Sequence, residues 1–283
     1  MLTLEVVDLN DVPLPDPKVS ISPFGDYSVV GNIVTIKNHP NYGVIILEWT
    51  SAIYGTTCSK VKVFQLERFQ NKVEKVKMPV GDVEIQIVDI KANPLPGLTV
   101  KFGNIKKITD AMGRVIFEQV PLEYKGGGIK YELGIYYEGL IIYSTSINVA
   151  ISEKFRIRQI TVPLTELEIY VTDLRKQPLP FAKILISLND KNRLEMFSTT
   201  SIDGRAKISR ILIGKEYNIN AEYKGFKGYV KIKVSSSQNV GIQLPIYKEY
   251  FGYPVGSLLG FIIESFKVIG PTLIAFIIGY LLK

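Results

Sequence analysis

The sequence predicts an all-β chain of three tandem antiparallel β-sandwiches, followed by one C-terminal transmembrane α-helix. Three observations predict this fold class. The motif Asp-Leu/Ile-x-x-x-Pro-Leu-Pro occurs three times, starting at Asp8, Asp89 and Asp173, which are 81 and 84 residues apart. Apolar and polar residues alternate on both sides of each copy. The stretch 251–282 carries only two charged residues. A fixed period of this size is typical of an array of similar units.

The first strand of each repeat ends at the repeated aspartate. Apolar residues stand two, four and six positions before it in all three copies, and mostly polar residues stand between them. This alternation with period 2 is typical of a strand with one buried face. The apolar residues are Leu2, Leu4 and Val6, then Val83, Ile85 and Ile87, then Leu167, Ile169 and Val171.

A second strand follows the Pro-Leu-Pro segment. Its apolar pairs lie eleven and thirteen residues after the aspartate, and they are Val19 and Ile21, Val100 and Phe102, and Ile184 and Ile186. Proline fixes φ and removes a backbone donor. The segment between the two strands is therefore expected at a sheet edge or at a crossing between strands.

The rest of each repeat reads as further short strands separated by turns. Asp110 to Gly113 and Asp203-Gly204 predict turns between adjacent strands. A strand rich in aromatic residues follows, and a closing strand ends at Pro79, Pro163 or Pro245. About seven short strands per repeat predict a small antiparallel sandwich. The predicted domains are 1–81, 82–165 and 166–248, followed by a juxtamembrane segment and helix at 249–283.

This pattern of residues resembles carboxypeptidase-regulatory-like (transthyretin-like) domains, which belong to the Ig-like β-sandwiches. The resemblance covers the second and third repeats well and the first in part. It rests on Asp89, Pro94, Leu95, Pro96, Asp110, Gly113 and Tyr137, and on Asp173, Pro178, Leu179, Pro180, Asp203, Gly204 and Tyr223. It implies an accessory spacer, adhesion or binding module on a secreted or surface protein.

A related pilin-type group forms Lys-Asn isopeptide crosslinks, with the lysine on the first strand near the repeated aspartate. The residues that directly precede the aspartates here are Val7, Val88 and Thr172. This departure from the pattern predicts that the chain forms no isopeptide bonds.

The apolar C-terminal stretch predicts a membrane anchor. A helix over 257–282 has about 26 residues and a length of ~39 Å, enough to cross a ~30 Å hydrocarbon core with some tilt. Glu264 and Lys267 are neighbours at i, i+3 and can pair near one interface or contact a partner, and Pro271 permits a kink. No signal peptide is recognisable after Met1. The sandwiches are expected on the extracytoplasmic side, with a cytoplasmic-facing tail anchor as the alternative.

The sequence offers no residue set for catalysis, and the chain is predicted not to be an enzyme. His39 is the only histidine, which excludes a conventional two-histidine metal site, and Cys58 is the only cysteine. The formal net charge is +7, but the lysines are spread along the chain, so no nucleic-acid partner is predicted. Asp8, Asp11 and two further aspartates crowd the first repeat, but their spacing matches no known calcium loop. No metal or cofactor is predicted.

The sequence thus predicts a non-catalytic, membrane-anchored surface or envelope protein with a structural or adhesive role. One alternative is an accessory subunit of a membrane complex, recruited through its transmembrane helix. Another is a carbohydrate- or protein-binding module that uses exposed aromatic residues, for which Trp49, Tyr136 and Tyr143 are the candidates. The expected partners are the lipid membrane and unidentified proteins, including further copies of the chain.

Overall fold

The computed structural model describes residues 1–37, 42–65, 71–151, 158–188, 194–250 and 253–255. Within these residues the chain forms 24 β-strands and no α-helix, which confirms the all-β prediction for this part of the chain. The predicted transmembrane helix, with Glu264, Lys267 and Pro271, lies outside the described residues. Among those described, no helix has the length and apolar character needed to cross a membrane.

The chain divides into two compact units, Met1–Val162 and Pro163–Lys283. The first unit contains the strands of the first two repeats, and the second contains those of the third. The division into three domains stays a prediction.

The first repeat forms two sheets that face each other across a hydrophobic core. The sheet orders are β3-β4-β1-β7 and β2-β5-β6. Leu4 of β1 and Leu47 of β5 are fully buried in this core, together with Cys58 of β6. The strands are β1 (Leu2–Val7), β2 (Lys18–Ser22), β3 (Asp26–Val30), β4 (Ile33–Lys37), β5 (Tyr42–Thr50), β6 (Thr57–Gln65) and β7 (Lys72–Lys77).

The second repeat has the same two-layer plan with one additional short strand. One sheet has the order β11-β8-β15, and in the other β10-β9-β13 continues into β14, with the two-residue β12 also pairing with β13. Phe102, Phe117 and Tyr131 are buried between the sheets. The strands are β8 (Val80–Val88), β9 (Thr99–Phe102), β10 (Ile105–Ile108), β11 (Arg114–Pro121), β12 (Glu123–Tyr124), β13 (Gly127–Tyr137), β14 (Leu140–Val149) and β15 (Arg158–Thr161).

The third repeat again places a three-stranded sheet against a four-stranded one. The orders are β19-β16-β22 and β18-β17-β20-β21, and a separate hairpin of β23 and β24 follows. The strands are β16 (Leu164–Thr172), β17 (Lys183–Leu188), β18 (Glu195–Thr199), β19 (Arg205–Leu212), β20 (Glu216–Tyr223), β21 (Phe226–Lys233), β22 (Gln238–Gln243), β23 (Lys248–Tyr250) and β24 (Tyr253–Val255).

Each Pro-Leu-Pro segment carries the chain from one sheet to the other. It connects β1 to β2, β8 to β9 and β16 to β17, and in every case the two strands belong to different sheets. The first proline keeps one isolated bridge to the preceding strand, in the pairs Val7–Pro13, Val88–Pro94 and Thr172–Pro178. The predicted crossing is confirmed.

The sheets are not purely antiparallel, so that part of the prediction is wrong. The last strand of each repeat runs parallel to the first, in the pairs β1–β7, β8–β15 and β16–β22. Alternation in the sequence fixes which side chains face the core. It does not fix which distant strand lies alongside or in which direction.

The glycine turns also differ from the prediction. The turns at Gly113 and Gly204 do not join adjacent strands, because β10 and β11, like β18 and β19, lie in opposite sheets. The turns at Glu138-Gly139 and Lys224-Gly225 do form hairpins, and both residues of each turn have positive φ. Positive φ at both positions is the geometry of tight hairpin turns that match strand twist.

Candidate functional site

The repeated aspartates form the same hydrogen-bonded loop in all three repeats. Asp8, Asp89 and Asp173 are buried, and the Oδ1 atom of each accepts two backbone N–H groups, at 2.7 to 2.8 Å. The donors are the residues two and four positions later, which are Asn10 and Val12, Lys91 and Asn93, and Arg175 and Gln177. The carboxylate therefore organises the end of the first strand, as an Asx-type turn does.

A strained residue lies at the same position of each loop. Asp11, Ala92 and Lys176 have φ values of 66°, 64° and 63°, in the left-handed region that non-glycine residues rarely adopt. In each loop the aspartate N–H donates to the carbonyl of the residue four positions later, at 2.8 to 3.0 Å. These bonds hold the strained turn closed, so the repeated aspartate is a structural residue of the crossing.

Two buried threonines hold the Pro-Leu-Pro segment in place, and neither is among the residues predicted from the sequence. The Thr109 hydroxyl donates to the Leu95 carbonyl at 2.7 Å and accepts the Leu98 N–H at 3.0 Å. Thr200 makes the matching bonds to Leu179 and Ala182, at 2.7 and 2.8 Å. Both threonines stand four residues before a turn glycine, and that repeated Thr-x-x-x-Gly spacing is the signal that could have identified them.

The structure also corrects how the two glycine turns correspond. Gly113 matches Gly204, so the counterpart of Asp110 is Ser201 and not Asp203. Asp110 Oδ1 accepts the N–H of the residue four positions later, whereas the Ser201 hydroxyl donates to the carbonyl at that position, 2.8 Å away. The one Ser201 proton is shared between that carbonyl and Asp203 Oδ1, and this hydrogen bond lowers the pKa of the Asp203 carboxyl, with Arg205 contributing.

The first two repeats are joined within the first unit by buried hydroxyl groups. The Tyr131 hydroxyl donates to the Pro121 carbonyl at 2.7 Å and lies 3.0 Å from the Thr56 hydroxyl. The Tyr54 hydroxyl of the first repeat donates to the Glu118 carbonyl of the second at 3.1 Å. Burial raises the pKa of both phenols, that of Tyr131 to about 12. Both phenols therefore stay neutral donors at physiological pH.

A cleft of about 430 Å³ lies beside this junction and is rich in carboxylates. Asp8 lines it from the first repeat, while Asp82 and Glu118 line it from the second. Asp82 accepts the Asn10 side-chain amide at 3.1 Å and the Gln119 N–H at 3.2 Å. The cleft is thus an acidic, partly enclosed space between two sandwiches of the same compact unit.

The aromatic residues predicted as exposed are not freely exposed. Trp49 is only 9% exposed, because it has the same inward orientation on β5 as Leu47, so its predicted exposure is wrong. Tyr136 is half-buried and packs over Gly134, and the Lys106 amine lies 5.6 Å from the centre of its ring. Tyr143 is half-buried and lines a groove of about 320 Å³ between β14 and β15.

The remaining reactive residues have structural environments. Cys58 is buried, and desolvation raises the pKa of its thiol to about 12, so it is not a nucleophilic thiolate. His39 lies outside the described residues. In the part of the chain that the structure describes, no three His, Cys, Asp or Glu side chains are grouped as metal ligands.

No family model matches the chain, and no curated protein matches it. Solved structures do match. The Bacillus anthracis TIE protein matches with a TM-score of 0.25 and 18% identity, over 86% of this chain and 49% of that chain, so the chain spans about half its length. A streptococcal ancillary pilin matches with a TM-score of 0.31 and 14% identity, over 86% of this chain and 98% of that chain. The minor pilin of Streptococcus agalactiae matches with a TM-score of 0.27 and 13% identity, over 57% and 95% of the two chains. At these values the comparisons leave the family and the function open.

Proposed function

We propose that this chain is a non-catalytic, membrane-anchored array of β-sandwiches with a structural or adhesive role at a cell surface or envelope. The observation that carries the proposal is the direct junction between the first two repeats. β7 ends at Lys77 and β8 begins at Val80, so two residues separate the sandwiches. Flexible linkers, which allow independent domain motion, need a longer segment with few contacts.

Hydrogen bonds and an aromatic contact also connect the two repeats at this junction. The Leu9 N–H of the first repeat donates to the Val80 carbonyl at 2.9 Å, and the Lys125 N–H of the second donates to the Ser59 hydroxyl at 2.8 Å. The Tyr54 ring meets the Tyr131 ring edge to face, with centroids 6.1 Å apart. These contacts resist bending between the two sandwiches. A junction that resists bending suits a structural protein that maintains a fixed spacing or transmits force along its length.

The membrane anchor is supported by the sequence. The stretch 251–282, with two charged residues, begins eight residues after β22 ends at Gln243. If the stretch forms the predicted helix, the third repeat is held close to the bilayer. The chain is then expected in the membrane fraction and released only by detergent, whereas a chain ending at residue 248 is expected in the soluble fraction.

Labelling of intact cells tests the surface location. A membrane-impermeant lysine reagent is applied to intact cells and, as a control, to permeabilised cells, and modified peptides are identified by mass spectrometry. We expect lysines with exposed amines, such as Lys207 and Lys227, to react in intact cells. If they react only after permeabilisation, the surface role is refuted.

Two alternatives remain open as proposals. The charged pair Glu264 and Lys267 in the apolar stretch favours an accessory subunit recruited through its helix, since charges within a membrane usually have a partner. A photocrosslinker at Ile263 would then capture a membrane protein, and capture of lipid alone would contradict this role.

The second alternative is a carbohydrate- or protein-binding module. Because Trp49 is buried, its ring is not available to contact a carbohydrate.

A further inference from the structure

Exposed apolar side chains collect at one end of the third repeat. Phe181 is 67% exposed and Ile202 is 80% exposed, although both are large apolar residues. The Phe181 N–H donates to the Thr200 carbonyl at 2.9 Å, which places Phe181 beside the turn that carries Ile202. The same turn packs on the crossing, because a Cβ on Gly204 would lie 2.8 Å from the Pro178 side chain. Phe181 and Ile202 therefore lie near each other, where the Pro-Leu-Pro segment crosses between the sheets.

The chain leaves the third sandwich at this same end. β22 runs parallel to β16, so both strands end on the side of the crossing. Just beyond them, the Leu174 N–H donates to the Ile246 carbonyl at 2.9 Å. Leu174 and Tyr247, which follows Ile246, are also exposed. The apolar stretch 251–282 begins four residues later, so this is the end of the repeat that a membrane anchor would hold against a bilayer.

The equivalent positions of the second repeat carry small residues. Gly97 follows its Pro-Leu-Pro segment, where the third repeat has Phe181, and the two residues have φ values of 75° and 60°. Ala111 stands where the third repeat has Ile202, two positions before the matched turn glycine. A bulky residue is strained in this left-handed region, whereas glycine is not. Because the Phe181 side chain is mostly exposed, packing within the described sandwich compensates little for the strain, which indicates a contact with another surface.

Basic residues accompany these apolar side chains. Arg175 and Lys176 are exposed in the same loop as Leu174. The neighbouring turn carries the exposed acid Asp203, whose carboxylate pairs with the Arg205 guanidinium at 3.1 Å. Apolar and aromatic side chains flanked by lysine and arginine are typical of protein surfaces that lie on anionic lipid.

We propose that this end of the third repeat docks on the surface of a phospholipid bilayer, with Phe181 and Ile202 in the interfacial layer and Arg175 and Lys176 among anionic headgroups. The inference rests on the proposed membrane anchor, because the anchor decides which end of the repeat faces the lipid. Apolar side chains at such a surface enter about 5–10 Å into the boundary between headgroups and acyl chains. Docking fixes the tilt of the third repeat on the membrane, which a tether alone does not.

The test is lipid quenching of a fluorophore on the full chain, reconstituted in vesicles of phosphatidylcholine and phosphatidylglycerol. An environment-sensitive fluorophore is attached at Ile202→Cys, and part of the phosphatidylcholine carries a nitroxide on an acyl chain. Cys58 is buried and does not compete for the label. Ala111→Cys is the matched control, because it has the equivalent exposed position in the second repeat. Quenching at residue 202 is expected to exceed quenching at residue 111 by about twofold or more.

A second substitution tests the role of the strained aromatic residue. Phe181→Gly in the chain labelled at residue 202 should lower the lipid quenching by about half or more, because the apolar contact is lost while the backbone conformation suits glycine. Phe197→Ala is its control, since Phe197 is equally exposed but lies in the middle of β18, and it should leave the quenching unchanged.

Flotation of the vesicles measures anchoring separately. If the chain floats but residue 202 is quenched no more than residue 111, or if Phe197→Ala lowers quenching as much as Phe181→Gly, the docking is overturned and the anchor stands. A blue-shifted fluorophore that lipid does not quench also overturns the docking, because a second copy of the chain or the apolar stretch then covers this surface. A chain that does not float refutes the anchor, and the docking with it.

Discussion

Replacing Thr109 with valine should destabilise the second repeat, because the hydroxyl makes two buried bonds that valine cannot make. Thr109 is 4% exposed, and its hydroxyl pairs with the Leu95 carbonyl and the Leu98 N–H. Valine has nearly the same shape, so little packing is lost. A buried polar group left unpaired costs about 1–3 kcal/mol. Two such groups predict a loss of about 2–5 kcal/mol in the free energy of unfolding.

The assay is urea unfolding of the full chain combined with hydrogen exchange. A loss of about 3 kcal/mol shifts the urea midpoint of the first unit by roughly 1–2 M, given typical m-values. The Leu98 amide should also exchange faster, since it loses its acceptor. Thr99→Val is the matched control, because that hydroxyl is half-exposed on the outer face of β9. Thr200→Val should have the same effect in the third repeat, where the bonds are equivalent.

The reasoning is refuted if Thr109→Val unfolds within about 0.5 kcal/mol of wild type, the range of ordinary surface substitutions. It is also refuted if Thr99→Val costs as much, because the loss would then come from the change of side chain rather than from the buried bonds.

Three further predictions concern the first unit. Gly113→Ala should lower the free energy of unfolding by more than about 2 kcal/mol, because φ is +69° and a Cβ would lie 2.5 Å from the Ile87 carbonyl oxygen. Gly126→Ala is the control, since its φ is +84° but a Cβ would lie in open space, and it should cost only about 1 kcal/mol. Urea unfolding measures both values. Cys58 should not react with a thiol reagent at pH 8 in the native chain and should react fully in urea, because burial keeps its pKa at about 12; rapid native labelling would contradict this. The pKa values of the Cys58 thiol and the Tyr131 phenol are raised in the folded chain. In the unfolded chain these groups have their ordinary pKa values of 9.0 and 10.0, so as pH rises they lose their protons in the unfolded chain before they do so in the folded chain. Stability should therefore fall as pH rises above about 9. Tyr131→Phe should reduce that slope above pH 10, and an unchanged slope would count against the assigned burial.

Several features of the fold could be read from the sequence because they depend on local pattern. Alternation around Asp89 identifies the strand and its buried face, and the two prolines after it require a crossing. The alternation stops at the repeated aspartate, so the sequence predicts the end of the first strand there, and the structure confirms it. Each of these inferences uses residues within about fifteen positions of one another.

Other features could not be read because they join residues far apart in the chain. Thr109 looks like an ordinary polar residue until the glycine turn brings it against Leu95. Trp49 is a different case, because its alternation with Leu47 on β5 is local and already favours burial, so the prediction of exposure is wrong despite a readable signal. The contact between Asn10 and Asp82 spans 72 positions, and no spacing rule connects them.

The sequence by itself determined that this chain is a β-sandwich array, because the period-2 pattern and the Asp-to-Pro-Leu-Pro motif act within single strands and turns. Only the tertiary structure decided that the first and last strands of each repeat run parallel, and that the first two repeats share one compact unit. It also brought the Asn10 side-chain amide of the first repeat within hydrogen-bond distance of Asp82 in the second. The physical reason is that burial and strand pairing depend on which distant surfaces meet, and local sequence patterns do not specify those surfaces.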